Sequence, residues 1–240
     1  MKIRMKYTKT GVLKYIGHLD MMRYFQKLLR RSGMDIGFTQ GFSPHPELSI
    51  ALPLGIGVTS EAEYMDVTIN SCGHSSEMIA LLNQDQVDGV RILSFKKIPD
   101  GRRSNCMAIV SAARYRVSLS VGFKESLKAG GIDIGGRLSD MLSQPEIIIR
   151  KKTKRSDMDS DIRPLVYEAC LAKDAASGDC IELLLAAGST NSLNPDTFMR
   201  AFAGYCDVEA EDIPWHIHRT EIYAGDKDAL VSLDSLGEDV

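Results

Sequence analysis

The chain has 240 residues, 44% hydrophobic and 25% charged, with a formal net charge of −3 at pH 7. That is enough for one large domain or two of about 100 residues, each able to bury a core. No run approaches the roughly 20 apolar residues of a membrane span, and the basic start "MKIRMKYTKTGVLKYIGHLD" lacks a signal-peptide core, so no membrane partner and a cytoplasmic location are expected.

The strand signal comes first. In "KIRMKYTK" (Lys2 to Lys9), Ile3, Met5 and Tyr7 alternate with Arg4 and Lys6, the period of a half-buried strand. "HLDMMRYFQKLLRRSG" then takes helical spacing. Leu19, Met21, Met22, Phe25, Leu28 and Leu29 form the predicted apolar face, Arg23, Lys27, Arg30 and Arg31 the opposite one, and Gly33 the stop. "GFTQGFSPHPELSIALPLG" follows, and its "ELSIALPL" reads as a short strand limited by Pro53. "EAEYMDVTI" alternates again, "SSEMIALLNQD" reads as a serine-capped helix, and "GVRILSFKKI" as a strand. Strand, helix, strand, strand, helix, strand is the ferredoxin-like split βαβ order.

After a polar linker at Asp100–Asn105 the pattern recurs. "ARYRVSLSV" reads as a strand, "GGRLSDMLSQ" as a short helix and "PEIIIRKKTKR" as a strand running into a basic loop, Arg150 to Arg155. "RPLVYEACLAK" and "CIELLLAAG" read as a hairpin turning around Ala175–Asp179, "NPDTFMRAFAGY" as a helix with Asn194 as cap and Pro195 in its first turn, and "PWHIHRTEIYA" as a last strand. The expected fold is α+β: two ferredoxin-like (βαββαβ) halves with antiparallel sheets. The first spans residues 1–100, the second 106–228, and 229–240 form a frayed acidic tail.

Five cysteines (Cys72, Cys106, Cys170, Cys180 and Cys206) lie ten or more residues apart, whereas metal sites use pairs two to four residues apart, so reduced structural thiols are expected. His216 and His218 share a strand face with no visible third ligand, and no metal is expected. Phosphate-loop, dinucleotide and nucleophile-elbow motifs are absent, as is a cysteine triplet for an iron–sulfur cluster, so no cofactor is expected.

Charge is uneven. Residues 1–54 hold nine Lys/Arg against three Asp/Glu, leaving 20 against 29 for the rest, which points to a basic N-terminal surface. The face of Arg23, Lys27, Arg30 and Arg31, with Arg4 and Lys6 projecting from the neighbouring strand, suits the phosphates of a nucleic acid. Tyr15, Tyr24, Phe38 and Phe42 flank it and suit base stacking, or pin the loop to the core. Two histidines are candidate acid/base groups. His18 precedes the amphipathic helix, where capping or a hydrogen bond to Asp20 is the structural alternative. His45 is held between Pro44 and Pro46.

The stretch from Gly17 to Val67 resembles the radical-SAM-linked domain family of unknown function. The matching residues are His18, Leu19, Asp20, Arg23, Arg30 and Arg31; Gly41, Phe42, Pro44, His45 and Pro46; Pro53, Leu54 and Gly55; and Ser60, Glu63, Tyr64 and Asp66. "DIRP" and "LNPDTFMRAF" match the weaker second-half motifs. Members occur alone or fused behind a cobalamin-binding radical SAM enzyme, so the resemblance implies an accessory role beside such an enzyme. The expected function is therefore a non-catalytic module that works with a separate radical SAM enzyme. It binds RNA or another macromolecular substrate through Arg23, Lys27, Arg30 and Arg31 and the Gly41–Pro46 loop. The alternative is a metal-independent ribonuclease-like enzyme using His18 or His45.

Overall fold

The alternation of Lys2–Lys9 becomes strand β1, and the helical spacing after it becomes helix α1 (His18–Arg31). A computed structural model describes residues 1–84, 86–101, 104–152, 157–174, 178–208 and 215–240, with six α-helices and a large, mostly antiparallel sheet among them. The tip of the hairpin, half of the basic Arg150–Arg155 segment and two residues of the linker lie outside this description. The described chain forms two compact units: residues 1–112 with 219–240, and residues 113–218. Among the described residues no helix is long and apolar enough to cross a membrane.

Unit 1 continues with β2 (Asp35–Ile36), β3 (Leu48–Ile50), β4 (Thr59–Ser71), α2 (Ser75–Asn83), β5 (Ile92–Ile98) and the single turn α3 (Cys106–Ile109). Its strands run β5-β1-β4, and β2 and β3 also pair with β4. Register decides which side chains meet. Lys2 faces Thr68, Arg4 faces Asp66 and Met5 faces Met65 across β1 and β4, while Ser49 of β3 also pairs with Asp66. Directly opposed residues share a sheet face. One face therefore carries Ile3, Met5, Tyr7, Met65 and Val67, and the other Lys2, Arg4, Ser49, Asp66 and Thr68.

Helix α1 covers the apolar face. Met21, Phe25, Leu28 and Leu29 are buried against Ile3, Met5, Tyr7, Ile69 and Phe95. The Phe25 ring meets Tyr7 edge-on at 4.5 Å, and burying one such side chain stabilises the unit by roughly 1.5–3 kcal/mol. Leu19 departs from the expected apolar face and is 68% exposed. At 3.6 residues per turn it lies about 120° around the helix from Phe25, outside the buried stripe.

β6 (Val110–Leu119) leads into unit 2, with α4 (Val121–Ala129), α5 (Ile134–Ser143), β7 (Ile148–Lys152), β8 (Asp157–Asp161), β9 (Val166–Asp174), β10 (Gly178–Ala186) and α6 (Pro195–Tyr205). The hairpin β9–β10 pairs antiparallel from Gly178↔Asp174 onward, as the sequence suggested. Two features differ from the sequence reading. A helix, α4, starts at Val121, where Ser120 caps it by accepting from the Phe123 N–H, and β7 pairs with β8 in a separate ribbon. α6 begins as expected: Asn194 accepts from the Asp196 N–H and Pro195 occupies the first turn.

β11 (Trp215–Ala224) carries the chain back into unit 1, which ends with β12 (Val231–Ser232) and β13 (Glu238–Asp239). The last residues do not fray as expected. Leu233 is fully buried, and Glu238 and Asp239 pair with Lys97 and Lys96 of β5, so edge hydrogen bonds and one apolar anchor hold an otherwise acidic segment.

Candidate functional site

The outer face of α1 presents Arg23, Lys27, Arg30 and Arg31 to solvent. Arg23 pairs with Asp20 at 3.0 Å, one turn away, so Asp20 serves the arginine and not His18. Among the described residues Lys27, Arg30 and Arg31 carry no ion pair. Their charge is therefore uncompensated and available to an anion. His18 is the first helical residue and exposed. Gly17 occupies the cap position without a side-chain bond, so neither residue caps α1 through its side chain.

The loop after α1 is closed at its base by main-chain bonds. Gly37 N–H donates to Thr68 O at 2.8 Å, Glu47 N–H to Gly37 O at 3.0 Å and Thr39 N–H to His45 O at 2.9 Å. A Cβ on Gly37 would sit 2.7 Å from Thr68 Cγ2, so only glycine allows this approach. Gly41 turns the tip at φ 124°, a conformation open to glycine. The loop is tied to the cation face on one side, where the Arg30 guanidinium lies 6.0 Å from the Phe38 ring centre. Phe42 at the tip is fully exposed and pins nothing, whereas Pro46 is buried and Pro44 exposed.

His45 is oriented by the same loop. Its N–H donates to Thr39 Oγ1 at 3.2 Å, and Nδ1 lies 3.1 Å from Thr39 Oγ1 and 3.2 Å from the Ser43 carbonyl. A carbonyl only accepts, so the Ser43 contact favours the tautomer protonated on Nδ1, in which Nε2 is the acceptor.

Arg4 and Lys6 do not join the basic surface expected of them. They lie on the far side of the sheet from α1, where other segments of unit 1 cover them. Arg4 is 2% exposed and grips Asp66 through Nε at 2.8 Å and Nη2 at 3.0 Å, while Nη2 also donates to Ser104 O at 2.7 Å and Nη1 to Leu233 O at 3.4 Å. Lys6 Nζ pairs with Glu221 at 2.9 Å, and Glu221 accepts from the Tyr64 hydroxyl at 2.6 Å. A second buried pair joins Arg219 Nε to Glu63 at 3.1 Å, with Arg219 Nη2 donating to Leu52 O at 2.6 Å. Glu63, Tyr64 and Asp66 of the E-Y-x-D motif thus each engage a polar partner, Glu63 on the Tyr7 face of the sheet and the other two on the Arg4 face. Burial first, then the Glu63 charge, holds the Tyr7 phenol above its ordinary range, and burial followed by the Glu221 charge does the same for Tyr64.

Register and loop together build a cleft that the sequence reading did not identify. Lys2, Ser49, Asp66 and Thr68 share the sheet face opposite α1, and Glu47, two residues before Ser49, lies on the same side. Thr39 and His45 from the loop, with Asn105 at the cap of α3, complete the walls of an open cleft of about 360 Å³. His45 lines it and His18 does not. The nearby Cys106 thiol is pushed up to about 11, by burial first and then the Asp66 charge, and it donates to Ser49 O at 3.3 Å, so it is a structural thiol. Among the described residues no group of three His, Cys, Asp or Glu is placed to hold a metal ion.

No curated protein matches the chain. The family described as "Uncharacterized protein conserved in bacteria (DUF2344)" matches residues 2–195, and the chain belongs to that family.

Proposed function

We propose that the chain is a non-catalytic module that binds RNA on the outer face of α1 and presents it to a separate radical SAM enzyme. One observation carries the binding half: Lys27, Arg30 and Arg31 stand exposed on one helix face without ion pairs among the described residues, beside the paired but exposed Arg23. Phosphates supply the missing counter-charge, and the exposed Phe42 supplies a ring on which an unpaired base stacks. The partner half rests on the motif resemblance between Gly17 and Val67. The antiparallel β5-β1-β4 order with β2 and β3 beyond β4 supports reading unit 1 as a ferredoxin-like half.

Fluorescence anisotropy with a labelled single-stranded RNA of about 12 nucleotides tests the proposal. Saturable binding at low salt, lost in Arg23→Gln/Lys27→Gln/Arg30→Gln/Arg31→Gln, is expected, and absence of binding by the wild-type chain contradicts it. A second reading, RNA cleavage with His45 as acid/base, is favoured by the loop contacts that orient the ring and by the Nδ1-protonated tautomer they favour. His18→Ala/His45→Ala separates the two: cleavage by the wild type that this variant loses selects the enzyme.

A further inference from the structure

The cleft opposite α1 carries a charge arrangement the RNA-binding face does not explain. Asp66 is already engaged: both oxygens receive Arg4, and Oδ2 also receives the Cys106 N–H at 2.8 Å. Lys2 and Glu47 are not. Among the described residues neither has an ion pair, and both line the cleft. They stand on either side of β4, about 10 Å apart at two strand spacings. An ammonium and a carboxylate held apart in this way select a ligand with an anion at one end and N–H donors at the other. His45 lines the same cleft, and in the tautomer that donates from Nδ1 to Ser43 O its Nε2 offers an acceptor.

We propose that this cleft is a nucleotide subsite. Lys2 takes the phosphate, His45 Nε2 accepts from a ribose hydroxyl, and Glu47 accepts from the N–H edge of the base. Guanine fits best, because its Watson–Crick edge sets a ring N–H and an amino group side by side for one carboxylate. The cleft volume of about 360 Å³ falls in the range of small-ligand sites. The 2′-hydroxyl contact selects ribose over deoxyribose. The nucleotide comes either from an RNA strand, in which case the proposal rests on the RNA reading above, or from a free ribonucleotide.

Titration calorimetry of the full chain with guanosine, uridine and deoxyguanosine monophosphates and with inorganic phosphate tests it, alongside the RNA anisotropy measurement. Guanosine monophosphate is expected to bind tightest, and Lys2→Gln and Glu47→Gln are each expected to weaken it by about tenfold or more. Glu47 is exposed and Lys2 half-buried, and an unchanged melting temperature confirms that the variants fold. Phosphate binding as tightly as the nucleotides overturns the subsite, as does nucleotide binding indifferent to both substitutions. RNA binding without any nucleotide binding overturns the subsite and leaves the α1 reading standing. Nucleotide binding without RNA binding sustains the subsite for a free ribonucleotide and sinks the α1 reading.

Discussion

The Arg4 guanidinium and the Asp66 carboxylate lie fork to fork inside unit 1, at 2.8 and 3.0 Å, with each side chain at or below 5% exposure. The remaining donors of Arg4 reach Ser104 O and Leu233 O, and the remaining acceptor capacity of Asp66 takes the Cys106 N–H. One ion pair thus ties β1, β4, the start of α3 and the C-terminal segment.

Removing either partner leaves an uncompensated buried charge, which costs about 3–5 kcal/mol. Asp66→Asn and Arg4→Met are each expected to lower unfolding stability by that amount in urea titrations. Arg4→Met/Asp66→Leu, which removes both charges, is expected to recover much of it. Equal losses in the single and double variants would show that the pair acts through shape alone.

Alkaline pH should unfold the chain through its buried acids. Burial raises Tyr7 and Tyr64 above the ordinary tyrosine value and takes Cys106 up to about 11. Groups raised in the folded state contribute stability that is whole below their unfolded values and is lost as pH rises through the folded ones. Stability by urea titration is therefore expected to fall between about pH 8 and 11, from the unfolded thiol value upward. Tyr64→Phe should make that fall shallower; an unchanged slope would remove Tyr64 from the explanation.

Gly37→Ala tests the loop. The added Cβ meets Thr68 Cγ2 at 2.7 Å, and overpacking of this kind costs about 1–3 kcal/mol. Thr68→Ser removes the closest atom, so the double variant is expected to regain part of the lost melting temperature. No regain would place the strain elsewhere in the loop.

What was legible in the sequence was whatever depends on local period. The β1 alternation and the α1 stripe give their buried faces directly, and Asn194-Pro195 gives the start of α6. Arg4 and Lys6 were misread because period says which face a residue takes and not what covers that face. Leu233 O and Glu221, which cover it, lie more than 200 residues away in sequence. Helix α4 was hidden because the alternation of "RVSLSV" runs on into Val121, past the Ser120 cap. The four cations of α1 were readable from the sequence, whereas the cleft was not. It requires the registers Lys2↔Thr68 and Ser49↔Asp66, which no local pattern encodes.

The salt dependence of RNA binding distinguishes a phosphate-binding α1 face from an inert one. If Arg23, Lys27, Arg30 and Arg31 each neutralise one phosphate, the logarithm of the binding constant falls with the logarithm of salt concentration with a slope of about −3 for a single strand. The wild-type chain is expected to show that slope, and Arg30→Gln, with one phosphate contact fewer, a slope of about −2. A wild-type slope near zero, or an Arg30→Gln slope equal to that of the wild type, would exclude phosphate binding by this face.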